Sequence, residues 1–435
     1  MREIGVGLLG FGTVGAGVAE GLLKNREVIA QRLGADIVLK KIADLDTTTD
    51  RGITVPPGVL TTDALSVIHD PGIEVIVELI GGTGIAKTFV LEALKSGKNV
   101  VTANKKMLAE YGGEIFKTAS ENHVDIYFGA SVGGGIPVIR VLREGLAGNR
   151  IRSIYGILNG TCNYILTRME REGLPFDTVL KDAQAAGYAE ADPSLDINGF
   201  DTAHKATILA SLAYGFHVPF NQVQVEGIKN LSGIDVQYAS ELGYRIKLLA
   251  TIKEDGDEIE VGVHPTLVPL SPLLASVNDV FNAAMINGDH SGDTLYYGKG
   301  AGRLPTASTV VGDICDIARN LALGEPRYTQ AVCTANQGKI ALRPAEEVKS
   351  RYYVRLMVCD KAGSLGRFTT ILGEYGVSIQ ATTQKEPIRA DEECQGYVPV
   401  VLLTHPATGK GLDQALAKIR ESGIISEDPI KLRVL

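Results

Sequence analysis

Tryptophan is absent from this 435-residue chain, and cysteine is scarce, with five copies at Cys162, Cys315, Cys333, Cys359 and Cys394. The cysteines are scattered, odd in number and never in a CxxC pair. That pattern argues against a disulfide framework or a cysteine-rich zinc site and points to a reducing compartment. Long apolar runs are also missing, and no stretch approaches the ~20 residues of a membrane span. Basic charge is outweighed: 43 Lys+Arg against 51 Asp+Glu leave a formal charge of −8. Nucleic acid and anionic membrane surfaces are therefore poor main partners. The N-terminal MREIGVGLLGFG enters a strand pattern directly, with no small-residue cleavage site, so a cytoplasmic protein is expected. Apolar residues at 45% and charged residues at 22% are ordinary for a globular protein and exclude disorder. Glycine, by contrast, is plentiful at fifty copies. With no collagen period and no low-complexity run, those glycines must answer particular backbone demands.

The length implies two to four domains. Strand patterns at 3–9, 37–44, 73–80, 99–104 and 125–132 alternate with helical ones, including 87–98. This alternation predicts an α/β fold with a Rossmann-type, doubly wound parallel sheet over 1–135. Residues 136–340 read as an α+β substrate domain built around an open sheet. Its strands are expected at 151–158, 223–228 and 259–267, and its helices at 160–186, 199–215 and 235–251. A polar linker at 340–351 precedes the last unit, 350–435, whose order of strands and helices is the ferredoxin-like βαββαβ.

Gly10-Phe11-Gly12-Thr13-Val14-Gly15 fits G-x-G-x-x-G and stands between a strand and a helix, the context that gives this short pattern value. Gly10 allows the tight turn, Gly12 lets backbone approach a pyrophosphate, and Gly15 lets helix and strand pack closely. The amides of Phe11, Thr13 and Val14 would face the phosphates. The second strand ends at Ala43-Asp44, where a carboxylate accepts from both ribose hydroxyls and repels a 2′-phosphate. Asp44 thus favours NAD over NADP, although Lys40, Lys41 or Arg51 could still meet a phosphate.

Two lysines stand out. Lys105 follows VVTAN at the C-terminal end of a strand, the edge where doubly wound sheets place ligands, but it also reads as a solvated surface lysine. Lys205 lies in an otherwise apolar helix, four residues after Asp201. That spacing equally describes an i,i+4 ion pair worth a few tenths of a kcal/mol. Upstream, Glu190, Asp192, Asp196 and Asp201 crowd into twelve residues that do not fit a calcium loop. They form either a solvated acidic loop or a cage for a cationic group such as an α-ammonium.

Taken together, GFGTVG, ELIGG (78–82), VVTANK (100–105), ASVGGGIP (130–137), GILNGTCNYIL (156–166), GYAEADPSLDINGFDTAHK (187–205) and GKGAGRLPTASTVVGD (298–313) resemble the homoserine dehydrogenase family. The match is to its bacterial form with a C-terminal ACT domain and covers essentially the whole chain. The resemblance implies reversible, NAD(P)-dependent reduction of L-aspartate 4-semialdehyde to L-homoserine, on the way to threonine, methionine and isoleucine. It makes Lys205 the proton donor to the carbonyl oxygen and places Lys105 beside substrate and nicotinamide. Glu190 would hold the substrate ammonium and Asp201 would stand next to the hydroxyl, with Asp196 in the same polar wall. Thr102, Gly187 and Gly302 would join the cofactor residues, and a late segment at about 300–325 would complete the nucleotide domain. The middle domain would also dimerise the chain, giving a homodimer or homotetramer.

The chemistry suits such a set. Hydride delivered to an aldehyde carbon builds negative charge on oxygen, which needs a nearby cation able to donate a proton. Two close lysines lower each other's pKa, while Asp201 opposes this for Lys205. Neutral Lys205 would take the hydroxyl proton in oxidation, which should therefore speed up at alkaline pH. The family also implies a monovalent-cation site, usually sodium, on Gly129 and the carbonyls of Val132, Gly134 and Ile136. Relatives often carry glutamate at position 129, so any ligand there must be backbone or water. Many also carry arginine where this chain has Ala43, which again agrees with NAD. The turn Asp360–Gly366 resembles the ACT loop that binds small amino acids, with L-threonine as the implied feedback ligand. Two other readings stay open: a dehydrogenase for another amino-acid aldehyde, and a non-catalytic sensor of nucleotide and amino acid.

Overall fold

The computed structural model describes residues 1–324, 335–384 and 396–435, so Cys333 and Cys394 lie outside the described residues. The chain forms two compact units. One comprises 1–158, 203–221 and 281–340, and the other 159–202, 222–280 and 341–435.

The first unit opens with β1 (Arg2–Leu9), α1 (Thr13–Lys24), β2 (Ala35–Ala43), β3 (Leu60–Thr61), β4 (Val75–Glu78), β5 (Asn99–Thr102), α2 (Lys105–Glu121) and β6 (Ile126–Tyr127). The strands form one parallel sheet in the order β3-β2-β1-β4-β5-β6. The order reverses beside β1, the switch point where such sheets open a crevice for ligands. Every residue of β1 from Ile4 to Leu9 is buried, as expected for a parallel strand covered on both faces. The strand expected over 125–132 is cut short. After β6 the chain turns at Gly129–Ser131, because the Gly129 amide donates to the Asp313 carboxylate instead of a ladder.

Next along the chain come β7 (Ile151–Ile157), α3 (Gly160–Glu172), α4 (Phe176–Ala185), α5 (Phe200–Tyr214), α6 (Gly233–Glu241), β8 (Tyr244–Asp255), β9 (Glu258–Pro269), β10 (Phe281–Gly288), β11 (Gly292–Lys299) and α7 (Arg303–Ala322). Two helical expectations need correction. The pattern at 160–186 breaks at Gly173, a left-handed C-cap, and at Pro175, giving α3 and α4. The pattern at 235–251 is helix only to Glu241. Gly243, at φ 82°, ends it, and the apolar run IKLLATI belongs to β8. A short, largely apolar run without clear alternation does not distinguish buried strand from buried helix. The antiparallel ladder with β9, from Tyr244↔Pro269 to Asp255↔Glu258, settles it as strand. The hairpin β10–β11, also unforeseen, pairs with β7 in the first unit. In that unit α7 adds Ala307, Val310, Ile314 and Ile317 to the core of β1 and α1.

The chain ends, in the second unit, with β12 (Lys349–Cys359), α8 (Ser364–Glu374), β13 (Ile379–Gln384), β14 (Tyr397–Thr404), α9 (Gly409–Glu421) and β15 (Ile430–Val434). The element order is the expected βαββαβ, with strands arranged β15-β12-β14-β13. Leu356, Phe368, Leu372, Leu402, Leu412 and Ile419 fill its core. On its far side β15 runs parallel to β9, with Thr266↔Arg433 and Leu267↔Val434 as partners. Buried Asp235 of α6 accepts from Arg355 Nε at 2.8 Å and Tyr353 Oη at 3.1 Å. No described helix is long and apolar enough to cross a membrane.

Candidate active site

A cleft of about 540 Å³ opens at the switch point, lined by Gly10, Gly12, Ala43, Asp44, Leu45, Leu79 and Ile80 among others. Gly10 forms its floor at φ 103°, and a Cβ there would lie 2.7 Å from the Leu79 carbonyl. Only glycine fits that turn without strain. Gly15 packs its Cα face on the Gly10 carbonyl, where a Cβ would come to 2.2 Å. A Cβ on Gly12 would meet nothing within 4 Å, so backbone there is open to a ligand. Gly12 caps α1, which begins Thr13-Val14 and so presents their amides at a helix N-terminus. This cradle fits a dinucleotide pyrophosphate. Phe11 is buried and its amide donates to Asp44 Oδ2 at 2.5 Å, while Asp44 Oδ1 accepts from the Asp46 amide at 2.9 Å. The Phe11 amide therefore holds Asp44 in place instead of facing the cleft.

A second layer supports the cleft from β4 and β5. Glu78, fully buried, accepts from the amides of Ile80 and Gly81 at 2.9 Å each and from the Thr102 hydroxyl at 2.6 Å. Thr102 in turn accepts from the Asn104 amide at 3.0 Å. Asn104 caps α2 through the Met107 amide and donates to the Gly82 carbonyl at 2.6 Å. Lys105 is the first residue of that helix. These bonds tie the Gly81-Gly82 turn to the helix that carries Lys105.

Lys205 is buried on α5, 8% exposed, and its ammonium donates to the Leu158 carbonyl at 2.5 Å. Asp201 precedes it by one turn of the same helix and is also buried. In the second unit, Asn159 caps α3 through the Cys162 amide at 2.8 Å. Its side-chain nitrogen donates to Asp196 at 2.7 Å and to Asp201 at 2.9 Å. Asp196 and Asp201 are thus brought together, and the amide that joins them is Asn159. Glu190 is not part of this cluster: it lies exposed after α4, its carbonyl accepting from Gln184 at 3.1 Å. Gly187, at φ 75°, begins that loop, and Gly302, at φ 119°, caps α7.

The segment 129–136 is buried at Gly129, Val132 and Ile136. A Cβ on Gly129 would lie 2.8 Å from Asp313 Oδ1, so that carboxylate fills the place where a longer residue would start. The Gly134 carbonyl accepts from Thr309 at 2.7 Å and that of Ile136 from the Val138 amide at 2.8 Å. Protein donors thus already reach two of the carbonyls expected to face a cation, and no step below uses one. Burial pushes the Asp313 carboxyl up to about 7, against the pull of the Gly129 amide and of Arg140 and Arg143.

Comparison with known proteins identifies the family. The family described as homoserine dehydrogenase matches residues 137–315, and its NAD-binding domain matches 10–129. The chain is 46% identical to a homoserine dehydrogenase of Neisseria gonorrhoeae, covering 99% of this chain and 98% of that protein. It is 38% identical to the Bacillus subtilis enzyme over 100% and 99% of the two chains. The crystal structure of a Thiobacillus denitrificans homoserine dehydrogenase superposes with a TM-score of 0.94 at 43% identity, covering 100% and 99%. The chain belongs to the homoserine dehydrogenase family. A hyperthermophilic archaeal homoserine dehydrogenase solved with NADPH aligns with 75% of this chain and all of its own, at 27% identity and a TM-score of 0.63.

As a homoserine dehydrogenase the chain is an oxidoreductase of amino-acid biosynthesis that works with a nicotinamide cofactor on a small molecule. Three residues in its site region carried no role in the sequence reading. Glu78 lay inside ELIGG, where a carboxylate closing an apolar strand was the available sign of a buried acceptor. Asn159 lay inside GILNGTC, and Asn before a helical run signals an N-cap, though not a second duty towards Asp196 and Asp201. Asp313 gave no local sign, because its partner Gly129 is 184 residues away.

Proposed function

We propose that this homoserine dehydrogenase moves its proton through Lys205, with Lys105 beside the reacting groups and Glu190, Asp196 and Asp201 as the substrate-binding carboxylates. The observation that carries the reading is the burial of the Lys205 ammonium on a helix, anchored by the neutral Leu158 carbonyl. An ammonium has three donors, and the bond to the Leu158 carbonyl fixes the direction of one of them on a rigid backbone atom. In reduction, Lys205 stabilises the oxyanion and gives it a proton. In oxidation, the neutral amine accepts the hydroxyl proton. The nicotinamide cofactor, when bound, supplies or takes the hydride. Gly12, Thr13 and Val14 would hold its pyrophosphate and Asp44 its ribose, with Thr102, Gly187 and Gly302 as further contacts. The test is a 340 nm assay with homoserine. Lys205→Ala should lose at least ~100-fold in kcat while still binding cofactor, and near-normal turnover would overturn the assignment.

The same reading favours NAD over NADP. The cations that could meet a 2′-phosphate are engaged: Lys40 with Glu3, Lys41 with the Gly58 carbonyl, Arg51 with Asp46. It assigns 1–135 with a segment near 300–325 to the nucleotide, 136–340 to substrate and dimerisation, and 350–435 to an ACT regulatory domain. A cavity of about 270 Å³ beside Asp360–Leu365 supports an effector there, for which L-threonine is the candidate. The enzyme would work as a cytoplasmic homodimer or homotetramer.

A further inference from the structure

Lys247 is a buried ammonium that the chemistry above does not use. It lies on β8, 1% exposed. It donates to the Asn163 side-chain oxygen at 3.0 Å, the Val277 carbonyl at 2.5 Å and the Asn278 side-chain oxygen at 3.2 Å. Three neutral acceptors use its full donor capacity. The charged groups around it are Glu170 and Arg171 of α3, Arg245 of β8 and Asp279 of the segment between β9 and β10. Desolvation outweighs them and brings the Lys247 pKa down to about 8. A buried charge without a bonded counter-ion is costly next to an apolar side chain of similar length. A retained ammonium therefore implies a task for its hydrogen bonds.

That task is visible in α3. Asn163, which accepts from Lys247, also donates to the Val277 and Asp279 carbonyls at 3.2 and 3.0 Å. One turn on, Thr167 accepts from the Asp279 amide at 3.1 Å. One turn back from Asn163 is Asn159, the cap that holds Asp196 and Asp201. Asn159 and Asn163 are four residues apart, hence neighbours on one face of the helix start. Any slide or rotation of α3 against β8 moves the Asn159 amide from which both carboxylates accept.

We propose that Lys247 is a positioning residue that fixes α3 against β8 and so, through Asn159, sets the placement of Asp196 and Asp201 for the substrate. The proposal rests on the reading of those two carboxylates as substrate-binding.

Lys247→Met keeps the length and removes the donors. In the full-length enzyme it should raise the homoserine KM by roughly tenfold or more, as a small misplacement of a binding group does. It should change kcat much less and leave the cofactor Kd, read by fluorescence quenching, unchanged. A folded K247M with wild-type homoserine KM overturns the proposal. So does a variant in which KM, kcat and cofactor Kd all worsen together, because that marks general loosening. Should K247M not fold, Asn163→Ala replaces it: the link to α3 is cut while Val277 and Asn278 still receive the ammonium, and the same selective rise in KM is expected. Asp201→Asn separates the two ways of failing. If D201N leaves the homoserine KM unaltered, the substrate reading fails and takes this proposal with it. If D201N raises KM and neither K247M nor N163A does, only the Lys247 proposal falls.

Discussion

Asparagine in place of Asp313 offers a quantitative test of how the first unit is held around position 129. Asp313 is 7% exposed and accepts from the Gly129 amide at 2.7 Å. Its carboxyl is pushed from 3.8 up to about 7, chiefly by burial, with Arg140 and Arg143 pulling down and Glu144 pushing up. A folded pKa above the unfolded one means that the folded state binds this proton more tightly. The contribution to stability is therefore full below pH ~4 and is lost as pH rises through 7. At about 1.4 kcal/mol per unit, the two units between pH 5 and 7 amount to about 3 kcal/mol. Asparagine has the same shape, cannot ionise, and keeps an oxygen for the Gly129 amide. D313N should therefore gain on wild type by about 2–3 kcal/mol between pH 5 and 7.5. For a unit of roughly 240 residues, at ~2 cal/mol/K of unfolding entropy per residue, that is about 5 °C in relative Tm. Circular-dichroism melts of both proteins across this pH range supply the measurement. Two melting curves that shift in parallel with pH would refute the argument, because they would mean that Asp313 titrates alike in the folded and unfolded chains.

Glu78→Gln removes the charge that three donors share beneath the cleft. It should cost about 1–3 kcal/mol of stability and raise the KM for cofactor, measured by thermal melts and by initial rates at saturating homoserine. Asp44→Ala releases the Phe11 and Asp46 amides and removes the carboxylate at the ribose end. The kcat/KM ratio of NAD to NADP should fall by roughly tenfold or more; an unchanged ratio would exclude Asp44 from cofactor choice.

The parts of the molecule that were legible in the sequence are those whose causes are local. Gly10, Gly12 and Gly15 lie within six residues of one another, and each answers a demand that its own turn makes. Strand–helix alternation predicts the parallel sheet because its period is written in consecutive residues. The βαββαβ order of the last unit is equally local. The illegible parts have causes that lie outside the segment itself. Gly129 turns because of Asp313, and β8 is a strand because β9 pairs with it. The acids of 190–201 read as one group in sequence, yet Asn159, more than thirty residues earlier, selects Asp196 and Asp201 from it and leaves Glu190 exposed.

A common device runs through the buried and half-buried carboxylates of the site region. Asp44 is held by the amides of Phe11 and Asp46, Glu78 by those of Ile80 and Gly81, Asp313 by that of Gly129, and Asp196 and Asp201 by the side chain of Asn159. Each of these carboxylates accepts from uncharged N–H donors, bonds that gain strength from the carboxylate's own charge. The choice has a consequence for the lysines. A carboxylate whose geometry depended on an ammonium would relax each time that ammonium gave up its proton. Carboxylates fixed by amides hold their places through the change. In the proposed mechanism Lys205 alternates between ammonium and amine on every turnover, and Asp201 stands one turn away on the same helix. The Asn159 bond to Asp201 keeps one anchor of that carboxylate independent of the proton, so the substrate-binding wall can stay in register while the acid–base group changes charge.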